Sequence, residues 1–462
     1  MRISILHVRT PLLLLALVEG ATLACAPRLA SWLARNLSFL PPLGPTPPGS
    51  ASAAFAALGL VSLLSVGLYS PRQRSNAAGV AARIVVAIAI AVALSALLYY
   101  FVPAVGMGRR ILLLSAGIAV VACVMFRFAF DRLFKEGIFK RRVLVFGAGQ
   151  RAATLAKLRR RTDTYGFNLV AFVAADGDVP SVPEDRQLRR PPDLYRWAQE
   201  NEIDEIVLAM DDRRREFPME ELLECRLAGI AVLDLASFLE RETGKLRFDV
   251  LNPSWIVLGE GFRDSNFQQG IGRAFDLAAS LLLLVPALPL MLLAALAILV
   301  EDGWRAPVLY RQTRVGRFNQ RFDLLKLRTM RENAEEDGAV WAVPNDPRIT
   351  RVGAVLRLSR IDELPQLVNV LRGQMAFVGP RPERPEFVDH LSRKLPYYRA
   401  RHAVKPGITG WAQLCYPYGA SDDDALQKLQ YDLYYVKNRN FVFDLAIMLQ
   451  TVEVVLWQKG AR

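Results

Sequence analysis

At 462 residues, 52% of them hydrophobic and with 58 Lys and Arg against 45 Asp and Glu, the chain is long enough for about three domains. Its net charge of +13 suits anionic headgroups or anionic substrates; no nucleic-acid module or aromatic-interleaved basic tract accompanies it, so no nucleic-acid partner is expected. Four scattered cysteines give neither a disulfide framework nor zinc spacing, and three histidines exclude a histidine-rich metal site, leaving only a hard cation held by carboxylates and phosphates.

The first apolar segment runs into more of the same without a cleavage site, so no cleavable signal is expected. Segments near 11–30, 51–70, 84–103 and 111–130 each approach the ~20 apolar residues a bilayer requires, which predicts a membrane protein with a four-helix transmembrane bundle over 1–134. The alternative is a buried helical bundle in water. Arg2 and Arg9 precede the first segment, Arg72, Arg74 and Arg83 lie between the second and third, and Arg127, Arg132, Lys135, Lys140, Arg141 and Arg142 close the fourth. The other two loops are poorer in cations, and the first is the proline-rich PPLGPTPPGS. The positive-inside rule places the N-terminus and everything beyond about residue 135 in the cytoplasm.

Residues 140–262 predict a Rossmann-like α/β domain. RRVLVFGAGQRAATLAKL reads as strand, glycine turn and helix, and Gly147 and Gly149 fit G-x-G-x-x-G/A. NLVAFVAAD ends near Asp176, placed to meet a ribose hydroxyl; IDEIVLAM and GIAVLDL read as further parallel strands, with LYRWAQEN and MEELLECRLA as helices between them. The glycines admit two uses, nucleotide binding or close packing of strand on helix.

From Leu277 to Val300 no charge appears, yet Pro286 and Pro289 stand mid-run, and each proline costs ~3 kcal/mol in a straight helix. Arg263 and Arg273 precede the run and Arg305, Arg311, Arg314, Arg317 and Arg321 follow it, marking both flanks as cytoplasmic. The pattern predicts a re-entrant helix pair over 277–300, broken at Pro286 and Pro289, with Ser280 or a neighbouring helix end satisfying the freed carbonyls. A proline-kinked span is the alternative. A re-entrant hairpin would hold the α-rich domain 263–462 at headgroup depth.

The chemistry concentrates in RLSRIDELPQLVNVLRGQMAFVGPRPERPEF. Pro365 is welcome only in a first turn, so a helix is predicted from near Asp362 to Leu371. Asp362 and Glu363 then sit at a helix N-terminus, where the dipole favours ionised carboxylates; an ionised Asp can attack phosphorus and a Glu can hold Mg²⁺. Ser359 to Asp362 also matches a capping box, a purely local use. Arg357, and Arg381 between two prolines, offer guanidinium forks for a diphosphate. Lys326, Arg328, Arg348 and Lys405 are further phosphate-binding candidates, each open to the reading of a solvated charge or headgroup contact.

From about Arg273 onward the sequence resembles the bacterial sugar transferases, the polyprenyl-phosphate glycosyl-1-phosphate transferases. RAFDLAASLLLLVPALPL, YRQTRVG, FDLLKLRTM, DPRITRVGAVLRLSRIDELPQLVNVLRG, FVGPRPERPEF, RHAVKPGITGWAQ and YDLYYVKN carry the resemblance in order. Four membrane helices and a Rossmann-like domain upstream resemble the large form that starts exopolysaccharide chains, and ERETGKLRFDVLNPSWIVLGEGF is similar to the linker of its exosortase-associated branch. The resemblance implies transfer of a sugar 1-phosphate from a UDP-sugar to undecaprenyl phosphate at the bacterial inner membrane. It implies Asp362 as nucleophile, Glu363 as Mg²⁺ ligand, and Arg357 and Arg381 on phosphate. The membrane helix over 277–300 matches, and a homodimer is compatible with the large form. Arg360-Ile361 departs from the more usual Ser-Leu, with packing or acceptor contacts the expected consequence.

Other classes fare less well. A membrane-bound nucleotide-sugar dehydratase would need Tyr-x-x-x-Lys, which none of the thirteen tyrosines begins. A non-catalytic, nucleotide-sensing scaffold of polysaccharide assembly would not need the Asp-Glu dyad with both arginines. The tail FVFDLAIMLQTVEVVLWQKGAR either lies in the membrane interface or packs on the preceding domain, and Tyr434 and Tyr435 read as structural.

Overall fold

The computed structural model describes residues 10–36, 46–69, 77–135, 140–158, 164, 166–175, 178–212, 217–251, 261–262, 265–331, 346–416, 419 and 421–456. They divide into two units, 1–253 and 254–462. Asp176, residues 252–260 of the linker stretch and Trp457 lie outside the described residues.

The first unit opens with α1 (Thr10–Asn36), α2 (Gly49–Ser65), α3 (Ala77–Phe101) and α4 (Arg109–Lys135). α1 packs on α2 and α4, and α3 on α2 and α4, closing a four-helix bundle. Gly59 lets α1 and α2 approach, since a Cβ there would lie 2.9 Å from Leu23 Cδ1, as small residues do between membrane helices. Leu17, Leu113, Val121 and Met125 face outward, the inversion expected of helices solvated by lipid. α1, α3 and α4 are long and apolar enough to span. α2 is shorter than the expected 51–70, with 17 residues. Gly67, at φ 79°, ends it: Leu68 N–H bonds Leu63 O and Gly67 N–H bonds Leu64 O, winding the helix off in a Schellman turn. Within the bundle Arg127 donates to both oxygens of the fully buried Glu19, at 2.7 and 2.8 Å, and to Leu68 O at 2.6 Å, while Tyr69 donates to the same carboxylate. A charge in an apolar bundle persists only when paired in this way.

The predicted α/β domain follows: β1 (Arg141–Phe146), α5 (Gln150–Ala156), β2 (Phe167–Val173), β3 (Gln187–Leu188), α6 (Leu194–Glu200), β4 (Glu205–Leu208), α7 (Met219–Leu227), β5 (Ala231–Asp234) and α8 (Leu235–Thr243). The sheet is parallel in the order β3-β2-β1-β4-β5, the doubly wound arrangement read from the alternation. The central strands are buried on both faces, which is why they read as unbroken apolar runs.

The second unit begins with α9 (Asn266–Asp302), 37 residues that include both Pro286 and Pro289. Helical structure runs continuously through both prolines. A proline's fixed φ is itself helical, so the prolines delete the bonds to Leu282 O and Val285 O without interrupting the helical stretch. Ser280 does not supply the missing donor, for its buried hydroxyl makes no hydrogen bond. Both ends of α9 are held by the same small domain. Near the start, Arg273 donates to Val370 O and Leu371 O, and Asp276 accepts from Phe377 N–H. Near the end, Ala294 and Ile298 pack with Leu327 and Leu356, and Glu301 accepts from Arg351 and Val352 N–H. Between these anchors Leu282, Val285, Leu292 and Leu293 are exposed, an uncovered apolar surface of the kind lipid takes.

The domain around α9 comprises the hairpin β6 (Leu309–Val315) and β7 (Arg321–Leu327), α10 (Arg351–Ser359), a 3₁₀ turn (Ile361–Glu363) and α11 (Gln366–Leu371). β8 (Ala376–Val378), α12 (Pro385–Lys394), β9 (Gly407–Thr409), α13 (Trp411–Cys415), α14 (Asp422–Asn438) and α15 (Phe441–Leu456) complete it. β8 and β9 pair in parallel. The tail helix α15 packs on the domain through the buried Phe443 and Ile447 and a Thr409–Thr451 hydroxyl bond of 2.7 Å, the second of the two readings above. Tyr434 and Tyr435 are core residues, and Tyr435 donates to Val378 O and Asp444.

Candidate active site

Asp362 and Glu363 do not open an α-helix. Arg360 turns left-handed (φ 58°, ψ 17°) after α10, and the dyad lies in the single 3₁₀ turn before α11, closed by Glu363 N–H to Arg360 O at 3.3 Å. Ser359 Oγ bonds back to Val355 O, so the capping box does not form. Two close backbone contacts frame the turn. Gly353 in α10 lies against Thr329, where a Cβ would come 2.1 Å from the carbonyl oxygen, and this seats Arg357 so that its Nε donates to Thr329 Oγ1 at 2.9 Å. The GPRP loop packs backbone to backbone on KPGITG: Gly379 N–H bonds Thr409 O and Gly407 N–H bonds Pro380 O. A Cβ on Gly407 would meet Gly379 N at 2.1 Å.

The loops deliver cations to one carboxylate oxygen. Glu363 Oε1 lies 3.6 Å from Lys326 Nζ, 3.4 Å from Arg360 Nη1 and 3.5 Å from Arg381 Nη2. Burial alone would raise Glu363, but Arg381, Lys326 and Arg360 hold its carboxyl down at about 2. Asp362 goes the other way. Burial, then the charge of Glu363, pushes its carboxyl up against the pull of Lys326, Arg357 and Arg360, so the dipole expected to favour ionisation does not prevail. It is 6% exposed, and Oδ1 has no hydrogen-bond partner. An orphaned carboxylate oxygen inside a cationic pocket is costly to a fold and useful to a nucleophile. Burial, with Arg381 and Arg314 nearby, draws the Lys326 ammonium below its usual value despite Glu363.

Of the six predicted phosphate cations, Lys326, Arg357 and Arg381 gather at the dyad. Arg328 is instead buried against Asp302 at 2.7 Å, tying down the end of α9, and Arg348 pairs with Asp346 at 2.6 Å. Lys405 faces Arg273, Asp276, Arg317 and Arg439. All three lie beside motif residues in sequence but turn to local carboxylates or to the start of α9. Sequence reading missed Arg314, whose Nη1 donates to Pro382 O, and Arg401, whose fork is wholly internal. Arg401 bonds Asp432 at 2.7 Å, Tyr398 Oη at 3.0 Å and the Arg381 carbonyl at 3.0 Å, clamping the loop that presents Arg381. The available signal was the aspartate of YDLYYVKN, an acid amid buried tyrosines that requires a partner.

Comparison with known proteins finds relatives of both units. The family model described as bacterial sugar transferase matches residues 267–458, and one described as a CoA-binding domain matches 65–218. The UDP-glucose:undecaprenyl-phosphate glucose-1-phosphate transferase of Xanthomonas campestris pv. campestris is 30% identical over 74% of this chain and 72% of its own length. The chain belongs to the bacterial sugar transferase family. Another relative, the UDP-N-acetylgalactosamine-undecaprenyl-phosphate N-acetylgalactosaminephosphotransferase of Aeromonas hydrophila, is 40% identical over 52% of this chain, which spans 56% of that protein. The exopolysaccharide production protein PSS of Rhizobium leguminosarum bv. phaseoli is 42% identical over 39% of this chain and 92% of its own length. Among these bacterial sugar transferase relatives the named sugars differ, although the dyad region here has one geometry.

The glycine turn of the middle domain is already filled. Gln150 and Arg151 N–H both donate to Asp211, at 2.9 and 2.8 Å, and Ala148 N–H donates to Asp178 at 2.8 Å. A Cβ on Gly149 would lie 2.0 Å from Asp211 Oδ2, and Gly147, at φ 129°, passes against Ala209. The amides at the start of α5 thus hold the chain's own carboxylates, and Gly147 and Gly149 lie in close contact with Ala209 and Asp211.

Proposed function

We propose that the protein transfers a sugar 1-phosphate from a UDP-sugar to undecaprenyl phosphate, giving undecaprenyl-diphosphate-sugar and UMP, and so begins an exopolysaccharide or capsule repeat unit. The observation that carries this reading is the orphaned Asp362 Oδ1, buried beside a carboxylate ringed by Lys326, Arg360 and Arg381. Asp362 Oδ1 attacks the sugar-bearing phosphorus, an O–P bond forms, and the bond to the UMP phosphate breaks, releasing UMP with its electron pair. The acceptor's phosphate oxygen then attacks the same phosphorus and the aspartyl O–P bond breaks, restoring the carboxylate. Lys326, Arg357 and Arg381 offset the charge of two approaching polyanions. One site serves both substrates in turn, so the kinetics are ping-pong.

A divalent cation suits this donor set only in part. Among the described residues no three His, Cys, Asp or Glu side chains converge, so Mg²⁺ would take Glu363, with the orphaned Asp362 oxygen nearby, and complete its shell from diphosphate and water. Bound there, it would neutralise charge on the diphosphate.

With α9 re-entering one leaflet, the domain lies on the cytoplasmic face of the inner membrane, where both substrates meet. The protein, purified in detergent, is mixed with undecaprenyl phosphate and each of UDP-glucose, UDP-galactose and the N-acetylated donors, and UMP is measured. UMP release with one donor, absent from Asp362→Asn, is expected; no UMP with any of them overturns the reading in favour of a non-catalytic scaffold.

A further inference from the structure

Arg360 stands two residues before Asp362, and the structure gives it a specific place. It caps α10 and opens the turn that bears the dyad in a left-handed conformation, φ 58° and ψ 17°. Glycine or asparagine adopts that conformation most readily, so the backbone alone does not call for arginine. A local rule broken beside a reactive group directs attention to what the side chain adds. Here it adds a guanidinium 3.4 Å from Glu363 Oε1, the same oxygen that Lys326 and Arg381 approach at 3.6 and 3.5 Å.

None of these contacts has the ~2.7–2.9 Å length of a tight charge-assisted bond. One carboxylate is shared among three cations and satisfies none of them fully. The three are unequally held. Arg360 is 45% exposed, against 38% for Arg381 and 20% for Lys326, and it reaches Glu363 from the open side of the turn. An exposed ion pair contributes little and is screened by salt, so exchanging it for another anion is cheap. A guanidinium fork is also better matched to phosphate oxygens than to one edge of a shared carboxylate.

Building on the reaction proposed above, we infer that Arg360 is a donor-phosphate ligand: when the nucleotide diphosphate enters, its guanidinium leaves Glu363 and takes a phosphate oxygen. Arg360 then strengthens donor capture.

The test compares wild type with Arg360→Ser, Arg360→Gln and Arg360→Lys. Kd for UDP is read by calorimetry, and KM and kcat for the active UDP-sugar are read from UMP release. Arg360→Ser and Arg360→Gln are expected to raise Kd and donor KM about tenfold, equivalent to ~1.4 kcal/mol, with the loss in KM rather than kcat. Arg360→Lys keeps most of the affinity, and the gap between wild type and Arg360→Gln narrows as salt rises from about 50 to 500 mM. Unchanged Kd in Arg360→Gln overturns the inference, as does a lowered melting temperature with unchanged Kd, which would make Arg360 a helix cap only. Wild-type protein that binds UDP yet releases no UMP defeats the reaction, and the Kd comparison still decides Arg360.

Discussion

Asp362 and Glu363 are adjacent and chemically alike, yet their surroundings drive them apart. Glu363 is held at about 2 by three cations, whereas burial and the charge of Glu363 raise Asp362. A carboxyl raised on folding is stabilised by its proton, so the fold gains stability as pH falls through that value, and above it the ionised form costs stability. At neutral pH Asp362→Asn therefore removes a strained charge while removing the nucleophile. Transfer should fall by about 10³-fold or more, and the melting temperature should rise rather than fall, by roughly 2–4 °C per ~1 kcal/mol relieved. Calorimetry and UMP release on one preparation check both halves. The same raised value sets the acid limb of kcat/KM. Activity should decline on acidification at a higher pH than an ordinary aspartate near ~3.9 would give, because the nucleophile must be ionised. Glu363→Gln removes the second-ranked cause of the rise, so in the residual activity of that variant the acid limb should move to lower pH. An unmoved limb would mean that another group controls it.

At the scale of elements, α9 carries the question of sidedness. Its two ends grip one domain, Arg273 and Asp276 on α11 and β8, Ile298 and Glu301 on β7 and α10, with the apolar stretch exposed between them. A straight helix separates residues 273 and 301 by roughly 42 Å at ~1.5 Å per residue, more than the ~30 Å apolar core of a bilayer. A span would therefore ask one domain to hold both sides of the membrane. The expected outcome is same-sided reactivity: after removal of the four native cysteines, Gln268→Cys and Arg305→Cys should both label with an impermeant maleimide from the cytoplasmic face of inverted vesicles, and neither in intact cells. Labelling of Arg305→Cys alone from outside would mark a span. Elements of this kind were legible in the sequence because they depend on local pattern: apolar runs for α1 to α4 and α9, strand-glycine-helix for β1 and α5. What was not legible depends on distant partners. Arg328 pairs at 2.7 Å with Asp302, 26 positions back, and Arg401 gains meaning only from the carbonyl of Arg381 and from Asp432, 31 positions on. Helical structure continues through Pro286 and Pro289, since proline forbids a hydrogen bond but not a helical φ.

At the scale of the whole molecule, two units divide the chain at about residue 253, and the Asp362-Glu363 dyad belongs to the second. The first keeps the topology of a dinucleotide-binding sheet while spending its phosphate cradle internally. Asp211 receives the N–H groups of Gln150 and Arg151, and Asp178 receives those of Ala148 and of Asp211 itself. A pyrophosphate entering there would have to expel two carboxylates that already satisfy the helix start, and its own charge would be repelled by them before it arrived. In this arrangement Asp211 caps the start of α5. Two outcomes follow from this one arrangement. NADH or coenzyme A at millimolar concentration should leave the melting temperature of the full-length protein unchanged. Asp211→Ala, by stripping the cap, should destabilise by about 0.5–2 kcal/mol and lower the first unfolding transition. A cofactor-induced rise in wild type would show that the carboxylates yield to a ligand. Asp211→Ala without destabilisation would show that these bonds contribute nothing to the fold, which would leave the clash at Gly149 as the reason for its glycine.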